Sequence, residues 1–419
     1  MSSQLRVAAL QLQAHDRSDF PKRWPVIRHA VERSLAGKPD LLVLPEATIP
    51  GYVLGEEPIE PPEIDRAVEE LAALARRFGS AILVGIVRVE AERRMNAALL
   101  IDRDGSLAGH ADKIFLWHFD RRWFTPGERI EPLDSSLGKI GAMVCADGRI
   151  PSIAATLVDR GAQILAMPTA WVTSGRDPAS LENLQADLLA FVRARENHVP
   201  FVAANKAGGE AGIARYCGKS AILAADGSIL AQASERDEET ISATVEIGAP
   251  NAYVRPRALA VPGRAAGSSM PRHRRVAVAY DEALVTERVR RFLDAPDSLD
   301  DAWAIDDAAL ASPLALVEAR LHGMRIFRCE SEIERTWCTR FARARCAELR
   351  CYAVIAHRPS AEIFAVDPDG AILTASSPQQ PIVSFAIDLA RTESGELAPS
   401  SDALAGLARV ERLRREGLR

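Results

Sequence analysis

Cysteine is scarce in this sequence: there are six in 419 residues, and no two form a C-x-x-C pair. Such usage gives no disulfide framework, and reduced thiols are expected. Long apolar runs are missing as well. Nothing approaches the roughly 20 residues that a membrane helix needs. The opening MSSQLRVAALQLQA has no basic segment leading into a long apolar one, so it does not read as a secretory leader, and a cytoplasmic protein is expected. An excess of positive charge is also absent. With 52 Lys and Arg against 57 Asp and Glu, the net charge is -5, which argues against nucleic acid as a partner. What is present is 47% hydrophobic and 26% charged residues, the balance of a globular protein with a real core. The length suits one large and one smaller domain.

Periodicity predicts alternating elements. Strands are expected at 5–13, 40–46 and 81–89, with helices at 21–36 and 63–78. A hairpin turns at Asp104-Gly105, and an aromatic and charged loop then leads to a strand ending at Cys145. Helix 152–160, strand 162–167, helix 180–197, strand 199–204 and a hairpin at Asp226-Gly227 complete the first 250 residues. Residues 251–274 are rich in Pro, Gly, Ser and Arg and read as a linker. Residues 275–419 regain a core-like pattern that echoes the first part. FVRARENHVPFVAAN (191–205) compares with FARARCAELRCYAVIA (341–356), and AILAADGSILA (221–231) with IFAVDPDGAILT (363–374), the order expected of a degenerate half-repeat. Cys329, Cys338, Cys346 and Cys351 lie near His357 without zinc-site spacing and read as core cysteines.

Three polar residues sit at or beside predicted strand ends: Glu46 after LLVLP, Lys113 in HADKIF, and Cys145 in MVCADG. Strand ends are where side chains escape the packed interior while rigid backbone still aims them. A thiol must lose its proton to attack, and its free pKa is about 8.5. A carboxylate can take that proton, and an ammonium can favour the thiolate and hold a developing oxyanion. Together the three make an acyl-transfer apparatus that needs no histidine.

In these residues the chain resembles the nitrilase, or carbon–nitrogen hydrolase, superfamily. The matching pieces are LPEATIPGY (44–52), Lys113, DRRWFTPG (120–127), KIGAMVCADGRIP (139–151), GAQILAMPTAW (161–171), RARENHVPFVAAN (193–205) and GKSAILAADGSILA (218–231), together covering about residues 5–250. The resemblance implies an α/β fold, a four-layer α-β-β-α sandwich, here with a second, smaller α/β domain. It implies Glu46 as general base, Lys113 as oxyanion stabiliser and Cys145 as nucleophile, with a thioester intermediate and release of ammonia or an amine. No metal or organic cofactor is implied, and a homo-oligomer is. The family's second glutamate falls on Asp120, one methylene shorter, and the glutamate after the post-cysteine proline falls on Ser152. Trp171, Arg149 and Trp117 are the candidate substrate-binding residues. For Arg149 a salt bridge with Asp147 competes with binding of a substrate carboxylate, a role Arg176 shares. Phe119, Trp123 and Phe124 are equally well explained by core packing, and His118 and His198 read as local hydrogen-bonding residues. The expected substrate is a small-molecule amide or N-carbamoyl compound. The alternatives are a nitrile handled by the same triad, or a non-catalytic nitrilase-like binding or scaffold subunit. Residues 275–419 read as a half without the triad.

Overall fold

The computed structural model describes residues 3–55, 59, 61–173, 180–249, 273–279, 299 and 302–417. The polypeptide divides into two compact units, one of Met1–Val254 with Val410–Arg419 and one of Arg255–Arg409. The expected linker lies outside the described residues, apart from His273 and Arg274, which already belong to a strand.

The first unit holds two sheets. Strands β1 (Ser3–Gln13), β2 (Leu41–Val43), β3 (Ala81–Glu90), β4 (Arg93–Ile101) and β5 (Leu107–Asp112) belong to the first. The second begins with β6 (Leu133–Ser135), β7 (Gly138–Ala142), β8 (Ile164–Pro168) and β9 (Phe201–Ala204). Chain order then returns to the first sheet with β10 (Lys206–Glu210) and β11 (Ala214–Cys217), adds β12 (Ala221–Leu223) and β13 (Ile229–Gln232) to the second, and ends with β14 (Glu239–Ile247) beside β1. The orders are β11-β10-β1-β2-β3-β4-β5 and β13-β12-β9-β8-β7-β6. The sheets face each other, with β1 on β9 and β12, and β2 and β3 on β8.

Helices α1 (Phe20–Ala36) and α2 (Pro61–Phe78) bury Ile27, Val31, Ile64 and Leu71 against the other face of the first sheet. A single turn, α3 (Asp120–Trp123), follows β5, while α4 (Pro151–Asp159) and α5 (Ala190–Asn197) pack on β7 and β9. These are the four layers expected. Strands β3 and β8 are apolar almost throughout because both their faces are covered.

Three boundaries differ from the sequence reading. The strand through 40–46 stops at Val43, before Pro45, which has no N–H to offer a ladder. The strand before Cys145 ends at Ala142, because Cys145 has φ 44° and opens a 3-10 turn, Cys145–Arg149. The helix read from 180 begins with a π turn at Gln185–Leu189, where Asn183 Oδ1 accepts the amides of Gln185 and Ala186 and fixes the start.

In the second unit, β15 (His273–Ala279) pairs antiparallel with β21 (Ile382–Asp388). A five-stranded sheet runs β16 (Trp303–Ile305), β17 (Ile326–Ser331), β18 (Tyr352–His357), β19 (Glu362–Val366) and β20 (Ile372–Ala375), with α6 (Asp307–Ala311) and α7 (Pro313–Leu321) after β16 and α8 (Arg335–Leu349) before β18. This order matches β7-β8-β9-β12-β13. The first two pairings are parallel and the next two antiparallel in both sheets.

Details agree as well. Both α4 and α7 start on proline, and α5 and α8 end on left-handed caps, His198 and Arg350. Each cap follows a buried ion pair, Arg193–Glu196 at 2.5 Å and Arg345–Glu348 at 2.9 Å. Arg193 Nε donates to the Gly148 carbonyl, and Arg345 Nε to that of Leu310. This register sets Arg193 opposite Arg345, two residues from the alignment that the F-x-R-A-R strings suggest. The four cysteines of this unit are buried, and His357 has both ring nitrogens engaged, by Ser360 Oγ and the Ile333 carbonyl.

Gly85 on β3 lets the chain around Glu46 come close. A Cβ there would lie 2.3 Å from the Pro45 carbonyl oxygen and 2.5 Å from Glu46 Cα. Gly85→Ala should therefore cost about 1–3 kcal/mol of stability, the usual range for overpacking. A denaturation midpoint equal to that of the wild type would contradict this.

Candidate active site

Glu46, Lys113 and Cys145 each lie one to three residues beyond a strand of the facing sheets. Hydrogen bonds hold the surrounding backbone. The Glu46 amide donates to the Thr169 carbonyl of the opposite sheet at 3.2 Å, and the Lys113 amide donates to the Asn96 carbonyl at 2.8 Å. The Lys113 carbonyl accepts from Gly127 of the FTPG segment at 2.7 Å.

Asp147 ties the turn at Cys145 to the segment that follows β5. Its carboxyl accepts the amides of Ile114 at 3.0 Å, Phe115 at 2.8 Å and Val144 at 3.1 Å. Asp147 spends its oxygens on backbone amides and forms no ion pair with Arg149.

At the centre, Lys113 Nζ lies 2.7 Å from Glu46 Oε1 and 2.6 Å from Asp120 Oδ2. All three side chains are 0% exposed. The shorter carboxylate at 120 thus reaches the lysine. Asn96 Nδ2 donates to Glu46 Oε1 at 2.7 Å, and the Tyr52 hydroxyl donates to Asp120 Oδ1 at 2.6 Å. Glu46 Oε2 finds no hydrogen-bond partner among the described residues.

Burial penalises the Lys113 ammonium, but Asp120 and Glu46 outweigh it and hold its pKa well above the ordinary lysine value. Cys145 is also buried. Its desolvation, and next the Glu46 charge, push the thiol far above its ordinary range, while Lys113, the Thr169 hydroxyl and the Ala170 amide pull the other way. Burial and the Glu46 charge thus favour the protonated thiol, and the Lys113 ammonium opposes them. The φ of 44° at Cys145, on a residue that is not glycine, marks a strained turn of the kind that persists where the surrounding structure enforces it.

The remaining candidates divide. Arg149 lies over the Trp117 ring at 4.4 Å, and no carboxylate among the described residues pairs with it. Trp117 also donates its amide to Asp120 Oδ2 at 2.8 Å. Trp171 is 1% exposed, its backbone is held by Asn205 Oδ1 at 2.7 Å, and its indole N–H finds no acceptor among the described residues. Phe119 packs between Tyr52 and Trp123, and Phe124 is buried in the core, so these are packing residues. His198 is the left-handed cap of α5, and His118, at φ 45°, sits edge-on to Phe119. Arg176 lies outside the described residues.

Sequence reasoning missed Asn96, Tyr52 and the role of Asp147. Tyr52 alone had a signal, in PGY just after Glu46.

Burial raises the Asp147 carboxyl from 3.8 to about 6, against the pull of its three amides and Lys113. A folded pKa above the unfolded one means that its contribution is complete below about pH 4 and is lost as pH rises through 6. Between those limits the wild type should lose about 3 kcal/mol relative to Asp147→Asn. Parallel stability–pH curves for the two proteins would contradict this.

Comparisons with known proteins agree on this region. The family model described as carbon-nitrogen hydrolase matches residues 6–252. A hydrolase from the pqqF 5' region of Pseudomonas protegens is 34% identical over 213 residues, covering 49% of this chain and 72% of that one. The omega-amidase of Saccharomyces cerevisiae is 28% identical over 261 residues, covering 57% and 86%. The crystal structure of an amidase from Nesterenkonia sp. superimposes with a TM-score of 0.53 at 26% identity, covering 60% of this chain and 93% of that one. With the nitrilase-type sandwich in place and more than half its length matched, this chain belongs to the carbon-nitrogen hydrolase family of enzymes.

Proposed function

We propose that the first unit hydrolyses a small-molecule amide or N-carbamoyl bond through a thioester on Cys145. The observation that carries this is the buried Glu46–Lys113–Asp120 cluster, with one Glu46 oxygen left open and with its Glu46 and Lys113 charges bearing on the buried Cys145. In this reading the Cys145 proton passes to Glu46 as Sγ bonds to the carbonyl carbon. The oxygen, now negative, is held by Lys113 Nζ and the amide that follows the cysteine. The C–N bond then breaks, the leaving nitrogen takes the proton from Glu46, and ammonia or an amine departs. Glu46 next deprotonates a water that attacks the thioester, and the acid leaves as the thiol recovers its proton.

A neutral resting thiol suits this sequence, since the base receives its proton only when substrate is in place. Asp120 keeps Lys113 charged and oriented in a site without bulk water, where one preorganised donor is worth most.

Two side chains speak for the substrate's shape. The half-buried Arg149, stacked on Trp117 without a carboxylate, favours a substrate carrying an anionic group. Trp171 offers a buried indole N–H to an acceptor on the same molecule.

Ammonia release across neutral amides, monoamides of dicarboxylic acids, N-carbamoyl amino acids and nitriles tests the reading. Cys145→Ala should abolish release, by at least about 1000-fold, and activity surviving it would remove the nucleophile assignment. Nitriles turned over in preference to amides would move the substrate class. Arg149→Met should raise KM for carboxylate-bearing amides about 10- to 100-fold and leave neutral ones nearly unchanged. Equal effects on both would remove the anion role.

A further inference from the structure

The second unit serves as an internal control for the first. By the shared register, Pro313 matches Pro151 and Leu310 matches Gly148, so Asp307 stands where Cys145 does. Asp307 lacks the positive φ of Cys145, and its carboxylate accepts the Glu332 amide at 2.9 Å. Where β8 buries Ala166 and Pro168, β17 exposes Arg328 and Glu330. Residues 280–302 link β15 to β16, a stretch too short to repeat residues 14–137, which carry Glu46, Lys113 and Asp120. Features common to both units therefore belong to the fold, and those found only in the first are candidates for the site. The Arg193–Glu196 pair, repeated as Arg345–Glu348, falls in the first class.

The hairpin β10–β11 falls in the second. In the first unit residues 205–220 separate β9 from β12, whereas 358–361 alone join β18 to β19. The hairpin carries a second buried charge cluster, which the triad does not include. Glu210 is 1% exposed and saturated with donors. Its Oε1 accepts the amides of Tyr52 and Val53 at 2.6 and 2.7 Å, and its Oε2 accepts Lys206 Nζ at 2.9 Å and the Tyr216 hydroxyl at 2.8 Å. The Lys206 ammonium lies 5.8 Å from the Tyr52 ring centroid, and that of Lys113 5.6 Å from it. Tyr52 then hands the chain on through its hydroxyl to Asp120, Lys113 and Glu46.

We propose that Lys206, Glu210 and Tyr216 form a positioning device for the reaction: Glu210 clamps the Tyr52 backbone so that the Tyr52 hydroxyl fixes Asp120, and through it the Lys113 ammonium. A buried ion pair is a poor source of stability, since apolar residues of similar volume commonly do as well. Its value here is geometric. Two of the four bonds to this carboxylate hold the carboxylate to the hairpin and two hold the loop after Glu46, and a small displacement of a catalytic group costs rate. These residues touch no reacting atom, and the inference rests on the hydrolase reading above.

The test is a double-mutant cycle in the full chain, measured as ammonia release from an amide that the wild type hydrolyses. Glu210→Gln and Tyr52→Phe should each lower kcat on the order of 100-fold with KM changed less than about threefold. The double variant should be no slower than the slower single one, because both cut the same chain. Losses that multiply, or a fall in kcat that merely tracks the folded fraction by circular dichroism, would overturn the device. Should Glu210→Gln fail to fold, Tyr216→Phe removes one bond to the same carboxylate and enters the cycle in its place, with the same expectation of non-additivity. A wild type without turnover, indistinguishable from Cys145→Ala, would sink the hydrolase reading instead. The cycle would then be read from the alkylation rate of Cys145 by iodoacetamide, where coupling between Glu210 and Tyr52 supports the clamp and independence overturns it.

Discussion

The structure of the catalytic unit depends on one buried cation. Lys113 has no access to water, and taking an ammonium out of water costs on the order of several kcal/mol even after relaxation. Only the two carboxylates at 2.6 and 2.7 Å make the position tenable. Glu46 comes from a remote part of the chain and Asp120 from the turn after β5, so the ammonium can be buried only if the ends of β2 and β5 meet the start of α3. Desolvation first and the Glu46 charge next push the Cys145 thiol up, and the Lys113 ammonium pulls it down. The same arrangement that satisfies the lysine thus also bears on the Cys145 sulfur.

Around that cation the backbone is unusually constrained. Cys145, Ala47 beside Glu46, and His118 before Asp120 all hold positive φ without being glycine. Conformations of this kind are strained and are found where neighbours over-determine the chain. Asp147, with three amides on one carboxyl, and Gly85, with no room for a Cβ, are two of those neighbours. Asp307, at the matching position of the second unit, has no positive φ, so the strained turn at Cys145 is not a feature that the two units share.

Much of this was legible in the sequence. Strand periodicity and the Asp-Gly turns gave β1 to β5 of the first sheet and the hairpins at Asp104-Gly105 and Asp226-Gly227. The residues at strand ends gave Glu46, Lys113 and Cys145, because a polar side chain there has few structural reasons to exist. The helix, strand and hairpin of the second unit follow the order of those in the first, and the F-x-R-A-R strings lie two residues out of step with the buried ion pairs. The strings align by identity, whereas the fold aligns the arginine of the buried ion pair. Hairpin β10–β11 was not legible. KAGGEAGIARYC has no clean alternation, and its glutamate resembles a surface loop residue until Tyr52, far back in the chain, is brought to it. Orientation was equally hidden, for Asp120 looked one methylene too short and proved to lie within hydrogen-bond distance of the lysine.

The central claim is that a carboxylate and an ammonium act on the Cys145 sulfur from opposite directions. The pH dependence of Cys145 alkylation by iodoacetamide, followed by mass spectrometry in wild type, Glu46→Gln and Lys113→Met, reads both charges on the sulfur itself. The account predicts an apparent pKa above that of an ordinary thiol in the wild type, lower in Glu46→Gln and higher in Lys113→Met. Three superimposable profiles would mean that the sulfur senses neither group, and the convergence described here would be wrong.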